Sequence, residues 1–241
     1  LIDLVEGEFA GHALTLHESK GLAFGFTGSD FPAADLRRRF PSLPLLFLKQ
    51  VNSDRIVAAA DWRPGMEADG LLLDRPGMVA VIQTADCLPL FFFDDARRRG
   101  GVLHVGWRGL QSGIEERLAA RLGAGLGDFS FFLGPAIEKD CYEVGEELPP
   151  LFAEKSYGGR IFSRNGRGRY TMDIKAGVKL SLAALGVEPG RVHDSGLCTY
   201  CSPGRFPSYR RDGKTGKRIF NFLLLKNGHP ALEVPVEGAG K

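Results

Sequence analysis

Short apolar runs closed by Gly, Pro or Asp recur along the chain, at Leu22–Phe26, Leu45–Leu48, Arg55–Ala60, Val79–Gln83, Leu88–Phe93, Val102–Val105, Phe129–Leu133 and Ile219–Leu225. Their length and their β-branched and aromatic content predict strands. Two of them, "FFF" at 91–93 and "FNFLLL" at 220–225, are apolar at consecutive positions. Neighbouring side chains of a strand point to opposite faces, so such a strand must be covered on both sides. Sheets with one face in water are therefore excluded for the centre of this fold.

Two segments have helical rather than strand periodicity. Leu110, Ile114, Leu118 and Leu122 recur every fourth residue and stop at Gly123 and Gly125. In "DIKAGVKLSLAALG", Ile174, Val178, Leu182 and Leu185 share one face, with Asp173 as N-cap and Gly186 as the residue after the C-cap. A third helix is predicted over Glu146–Glu154, weakened by Pro149 and Pro150. No repeat, linker or low-complexity stretch interrupts the pattern. One mixed α/β domain over residues 1–241, richer in strand than in helix, is the expectation.

Composition narrows the function. With 31 basic against 29 acidic residues, the net charge sets up no broad field for nucleic acid or a membrane surface. The runs Arg37–Arg39 and Arg97–Arg99 read as solvated turns. Four cysteines in 241 residues are too few for a disulfide scaffold, and a chain of this length folds without one. Neither a leader-like apolar segment nor a run of membrane-span length is present, so a reduced, cytoplasmic protein is expected.

The stretch "TADCLPLFFFDDARRRGGVLHVGWRGL", residues 84–110, reads as a hairpin turning through Asp94–Gly101. A turn centred on residues 95 and 96 sets Cys87 opposite His104, where Cβ atoms stand ~4.5–5.5 Å apart. That spacing serves a shared metal ion, a thiol activated by an imidazole, or two ordinary core residues. Cys87 falls where the strand begins, and His104 near its end, before Gly106, Trp107, Arg108 and Gly109. Backbone N–H groups at such a strand-to-helix turn favour anions. Arg108 there suits a phosphate or carboxylate fork.

Five segments in order, "KQVNSDRIV", "ADGLLLDRPGMVAVIQTADCLPLFFFD", "HVGWRGL", "GPAIEKDCYEVGEEL" and "CTYCSPGRFPSYRRDGKTGKRIFNFLLL", resemble the YfiH-like, laccase-domain family. Its members are also described as multicopper polyphenol oxidase-like proteins and as purine nucleoside phosphorylases. The resemblance covers residues 45–225 and implies an α+β fold, a four-layer α/β/β/α sandwich with mixed sheets. It also implies a zinc ion held by two histidines and a cysteine, of which Cys87 and His104 match two. Asn52 stands where the family has its first ligand histidine. A carboxamide oxygen is a poor zinc donor beside imidazole or thiolate, so weak or partial zinc occupancy is expected. A family arginine near the N-terminus has no clear match: it is either missing or supplied by one of Arg37, Arg38 and Arg39.

By the same resemblance, the activity is phosphorolysis of adenosine, inosine or methylthioadenosine, with adenosine deaminase activity at the weakened zinc site. Cys87, His104 and Asn52 are the expected catalytic and metal residues. Gln50, Arg108, Tyr209 and Arg210 are the expected substrate-binding ones. Copper is not expected, because one histidine near the site and no His-x-His pair cannot hold several copper ions. Two other readings stand beside this one: a silent member that binds a nucleoside or a protein, and a metal-free cysteine hydrolase using Cys87 and His104. Cys198 and Cys201 have CxxC spacing without a second pair, so no separate metal is expected there, and Cys141 reads as structural. His12, His17, His193 and His229 read as surface or loop residues.

Overall fold

A computed structural model describes residues 2–226, apart from Asp95, Arg97, Ala124 and Arg167. The expectations for Arg97 and His229 therefore lie outside the described residues. Two six-stranded sheets stack face to face. The first runs in the order Val5–Phe9, His12–Ser19, Leu22–Thr27, Ile219–Leu225, Val79–Thr84, Leu45–Phe47. The second runs Val192–Asp194, Phe129–Leu133, Leu88–Asp94, Gly100–Val105, Gly70–Leu73, Ile56–Ala58. Both are mixed: most pairs are antiparallel, but Leu45–Phe47 lies parallel to Val79–Thr84, and Ile56–Ala58 parallel to Gly70–Leu73.

Three apolar layers separate four structural ones. Between the sheets, Phe24 packs against Phe91, Phe93 and Phe132 with centroids 5.0, 5.8 and 5.2 Å away. Such pairs add about 0.5–1.5 kcal/mol each beyond area burial. Outside the first sheet, helix α1 (Ala33–Arg39) covers a core containing Leu36, Phe40 and Phe222. Outside the second lie α2 (Trp107–Ser112), α3 (Ile114–Leu122), the single turn α4 (Leu148–Leu151) and α5 (Ile174–Ala184). This is the expected α/β/β/α arrangement. The doubly apolar "FFF" strand explains itself here, because Phe91 and Phe93 enter the inter-sheet core while Phe92 faces the helices.

Several local expectations are corrected. The predicted helix through Leu110–Leu122 is two, broken at Gly113, whose φ of 82° is left-handed and open to glycine at little cost. The third helix shrinks to four residues around its two prolines, since proline suits only the first turn. The hairpin turns one residue later, pairing Leu88 with Val105 and Pro89 with His104. Gly100 and Gly101 are strand, not turn, because the strand Gly70–Leu73 crosses there so closely that a Cβ on Gly101 would collide with the Leu71 carbonyl. The run Arg37–Arg39 closes a helix instead of forming a solvated turn, and Arg39 is 2% exposed between the rings of Phe9 and Phe40. His17 is not a surface residue either: it is buried in a strand against Phe24, its Nδ1 2.8 Å from the Asp3 carbonyl. Among the described residues, no helix is long and apolar enough to cross a membrane.

The topology also decides where a site can form. The parallel neighbours Leu45–Phe47 and Val79–Thr84 end on the same side of the first sheet. From there each chain segment crosses to the second sheet, through residues 48–55 and 85–87 respectively. The strand Gly100–Val105 ends beside Leu88, and Ile219 begins opposite Thr84. Four connections thus open on one edge of the sandwich.

Candidate active site

A cleft of about 580 Å³ lies at that edge. Its lining includes Gln50, Asn52, Cys87, His104, Arg108, Tyr209 and Arg210, the seven residues expected to carry catalysis, metal and substrate. Cys87 precedes the strand that starts at Leu88. In the observed register it stands diagonal to His104 on the same face, not directly opposite. Both side chains nonetheless line the same cleft.

One buried carboxylate organises this wall. Asp69, fully buried, lies 2.8 Å by its Oδ1 from His104 Nδ1. It also accepts the backbone N–H groups of Val51, Asn52 and Ser53, at 3.2, 3.0 and 2.6 Å, and the Ser53 hydroxyl at 2.7 Å. These bonds hold residues 51–53 in a tight loop in which Asn52 is left-handed, with φ 60°. Gln50 anchors the same loop: its carboxamide donates to the Gln83 carbonyl and accepts from the Gln83 N–H, at 2.8 and 2.7 Å. Its polar atoms are thereby committed to the backbone. Asn52 Oδ1 and Cys87 Sγ approach each other over Gly106, where an added Cβ would stand 2.9 and 3.3 Å from them.

Burial pushes the His104 imidazole towards neutrality, but the Cys87 sulfur and Asp69 outweigh it and raise its pKa to about 9. Burial also pushes Asp69 up, yet His104 and the donors of Ser53 hold it below the usual carboxylate range. The two shifts describe one interaction, an imidazolium between a sulfur and a carboxylate.

A second buried aspartate builds the opposite rim. Asp86, left-handed at φ 84°, accepts from the Thr199 and Ser208 hydroxyls at 2.6 and 3.0 Å and from the Arg210 N–H at 2.7 Å. Arg210 is thereby fixed at the cleft, donating to the Glu143 carbonyl at 2.6 Å with its guanidinium 5.5 Å from the Tyr142 ring. Arg108 rests 4.3 Å from the Trp107 ring. Burial, then the neighbouring Cys87, pushes the Tyr142 phenol well above its ordinary range, so it stays protonated.

Asp69, Tyr142 and Arg218 belong to or border the site without having been singled out in the sequence. Only Asp69 had a visible signal, the "ADG" at 68–70 before an apolar run. Of the three arginines proposed to replace the family's N-terminal one, none lines the cleft. Arg37 lies over Phe47, Arg38 pairs with Asp35, and Arg39 is buried against Phe9 and Phe40.

The model of the family described as multi-copper polyphenol oxidoreductase laccase matches residues 34–226. The chain belongs to this YfiH-like laccase-domain family. Among its relatives is a purine nucleoside phosphorylase of Pseudomonas aeruginosa, 37% identical over 174 residues, 71% of this chain and 70% of that one. The purine nucleoside phosphorylase YfiH of Escherichia coli K12 is 34% identical over 187 residues, 77% of this chain and 75% of the other. The crystal structure of Bacillus licheniformis YfiH superposes with a TM-score of 0.78 at 25% identity, covering 88% of this chain and 96% of that one. The laccase-domain fold and the family-level link to nucleoside phosphorolysis stand on these likenesses.

Proposed function

We propose that this laccase-domain protein splits purine nucleosides with phosphate, taking adenosine, inosine or methylthioadenosine. One observation carries the reading: a single cleft of nucleoside size joins three guanidinium groups to the buried Asp69–His104–Cys87 chain. Arg108, Arg210 and Arg218 supply the charge that a phosphate dianion needs, through charge-assisted bonds about twice as strong as neutral ones. Trp107 and Tyr142 offer aromatic surface to the base, and Tyr209, 47% exposed, stands at the mouth. As phosphate oxygen bonds to the ribose C1′, the glycosidic bond breaks and the purine leaves with the bonding pair. His104, charged at neutral pH between Cys87 and Asp69, holds a proton for the departing purine nitrogen. Asp69 fixes the ring orientation, and Gln50 fixes the loop that carries Asn52.

The donors fit the zinc that the family resemblance implies, at reduced strength. Cys87 and His104 are strong ligands, Asp69 backs the imidazole as carboxylates do behind metal-bound histidines, and Asn52 adds a weak oxygen. When bound, zinc supplies Lewis acidity for hydrolytic removal of the adenine amino group. In this reading deaminase activity is secondary to phosphorolysis.

A second reading has its own support. Asp69, His104 and Cys87 are aligned as orienter, base and nucleophile, the pattern of a cysteine hydrolase. Turnover of adenosine with and without phosphate, before and after chelation, separates the readings. Phosphorolysis predicts phosphate-dependent adenine release that survives chelation. Ammonia release abolished by chelation would mark a deaminase alone. No turnover, with fast iodoacetamide labelling of Cys87, would favour the thiol hydrolase.

A further inference from the structure

Away from the cleft lining, three thiols from two loops converge. The Sγ atoms of Cys141, Cys198 and Cys201 all lie within 4.8 Å of one another, and those of Cys141 and Cys201 are 3.1 Å apart. The backbone enforces this meeting: Ala136 and Cys198 form an isolated parallel bridge, and the Thr199 N–H donates to the Ala136 carbonyl at 3.0 Å. Cys141 ends the short 3-10 turn Lys139–Cys141 that follows in the first loop. Within the Cys-Thr-Tyr-Cys turn, the Cys201 N–H donates to Cys198 Sγ at 3.4 Å. A backbone donor at that sulfur stabilises negative charge there, as hydrogen-bond donors do around metal-bound thiolates.

The geometry points to a second cation site, in which Cys141, Cys198 and Cys201 hold one Zn²⁺ as a structural ion. With Zn–S bonds of ~2.3 Å, tetrahedral ligands stand about 3.8 Å apart. The 3.1 Å contact and the 4.8 Å limit bracket that value, so sub-ångström shifts close the site. At 3.1 Å the Cys141 and Cys201 sulfurs are far outside the ~2.05 Å of a disulfide. Each thiol proton leaves to solvent as its sulfur binds, and the exposed side of Cys201 leaves the fourth position to water. Three sulfur donors without histidine or carboxylate select a thiophilic ion over magnesium or calcium. The ion would tie together the two loops that carry Tyr142 and Thr199. The first of these lines the active cleft, and the second holds Asp86.

Elemental analysis of the purified full chain tests this, with Cys198→Ser, Cys201→Ser and Cys87→Ser compared. One tightly held zinc should persist in Cys87→Ser and be lost in each of the other two, with a lower thermal midpoint. Metal-free protein titrated with Co²⁺ should develop thiolate-to-cobalt absorption in the parent and in Cys87→Ser, and not in Cys201→Ser. Should Cys198→Ser fail to fold, Cys201→Ser carries the test, because that side chain is exposed. Zinc lost with Cys87→Ser but kept in both others would overturn the proposal. So would a parent without zinc or cobalt absorption, or a Cys141–Cys201 disulfide found by thiol counting in protein purified without reductant.

Discussion

Glu115 offers a stability test with a worked magnitude. It sits in the first turn of α3, is fully buried, and neither carboxylate oxygen has a hydrogen-bond partner. Burial, with a smaller push from Glu116, raises its pKa from the ordinary 4.5 to about 8. The folded state therefore keeps a proton that the unfolded state gives up. Below pH 4.5 both states are protonated and folding bears no penalty from this group. Between 4.5 and about 8 the unfolded chain binds fewer protons, so stability falls as pH rises, and above about 8 the loss is complete. At ~1.4 kcal/mol per pH unit, the cost at pH 7 is on the order of 3 kcal/mol. Glu115→Gln has the shape of the neutral acid and cannot ionise. Urea unfolding of both proteins from pH 5 to 8.5 should show nearly equal stability at the acid end. The variant should then gain steadily, reaching on the order of 3 kcal/mol by pH 7. A stability difference that does not change with pH would refute the buried-acid argument, and so would a variant weaker than the parent at pH 8.

The cleft yields three further predictions. Asn52→His should raise zinc at the Cys87–His104 site by up to one equivalent, read by elemental analysis in a Cys201→Ser background, and raise ammonia release from adenosine with it; unchanged zinc would mean that Asn52 is no defect. Gly106→Ala should leave the thermal midpoint within a few degrees, because φ at −86° suits alanine. Its methyl group would nonetheless stand against Asn52 and Cys87, so turnover should fall at least tenfold; normal kinetics would show that these side chains do not act together. Asp69→Asn should reduce turnover by ~10–100-fold, as loss of an orienting partner does, and move the alkaline limb of the pH profile to lower pH, because His104 loses the carboxylate that helps keep it protonated; a drop in stability with an unmoved profile would reduce Asp69 to a structural role.

Much of this arrangement was legible in the sequence, for identifiable reasons. Phe91–Phe93 and Phe220–Leu225 revealed doubly covered sheets because two-sided burial leaves a continuous apolar run. Cys87 and His104 could be linked because one hairpin joins them, and a register error of two residues kept both on the same face. Asp69 acts across 35 residues of sequence, and no local pattern distinguishes a carboxylate that orients a ring from one in a turn. Cys141 is 60 residues from Cys201 and meets it only through the bridge at Ala136. Arg39 and His17 read as surface residues because charge is the usual sign of exposure, whereas here aromatic rings and a carbonyl receive them. Strands as brief as Glu143–Val144 and Tyr170–Met172 carry too few residues for any period to emerge.

The left-handed backbone at Asn52 narrows what this site can become. The N–H groups of Val51, Asn52 and Ser53, all donating to the Asp69 carboxylate, fix that conformation whatever side chain is present, and it admits chiefly Gly, Asn, Asp and His at low cost. Only the last two of these bring a strong metal ligand. A single codon change from asparagine reaches either one, while most other side chains would meet a strained backbone before they met a substrate. The position thus works as a small dial with few settings: a glycine or asparagine leaves the thiol and imidazole to act alone, an aspartate adds a hard anionic donor, and a histidine completes a zinc triad. Each of these changes would leave the two sheets behind the position as they are.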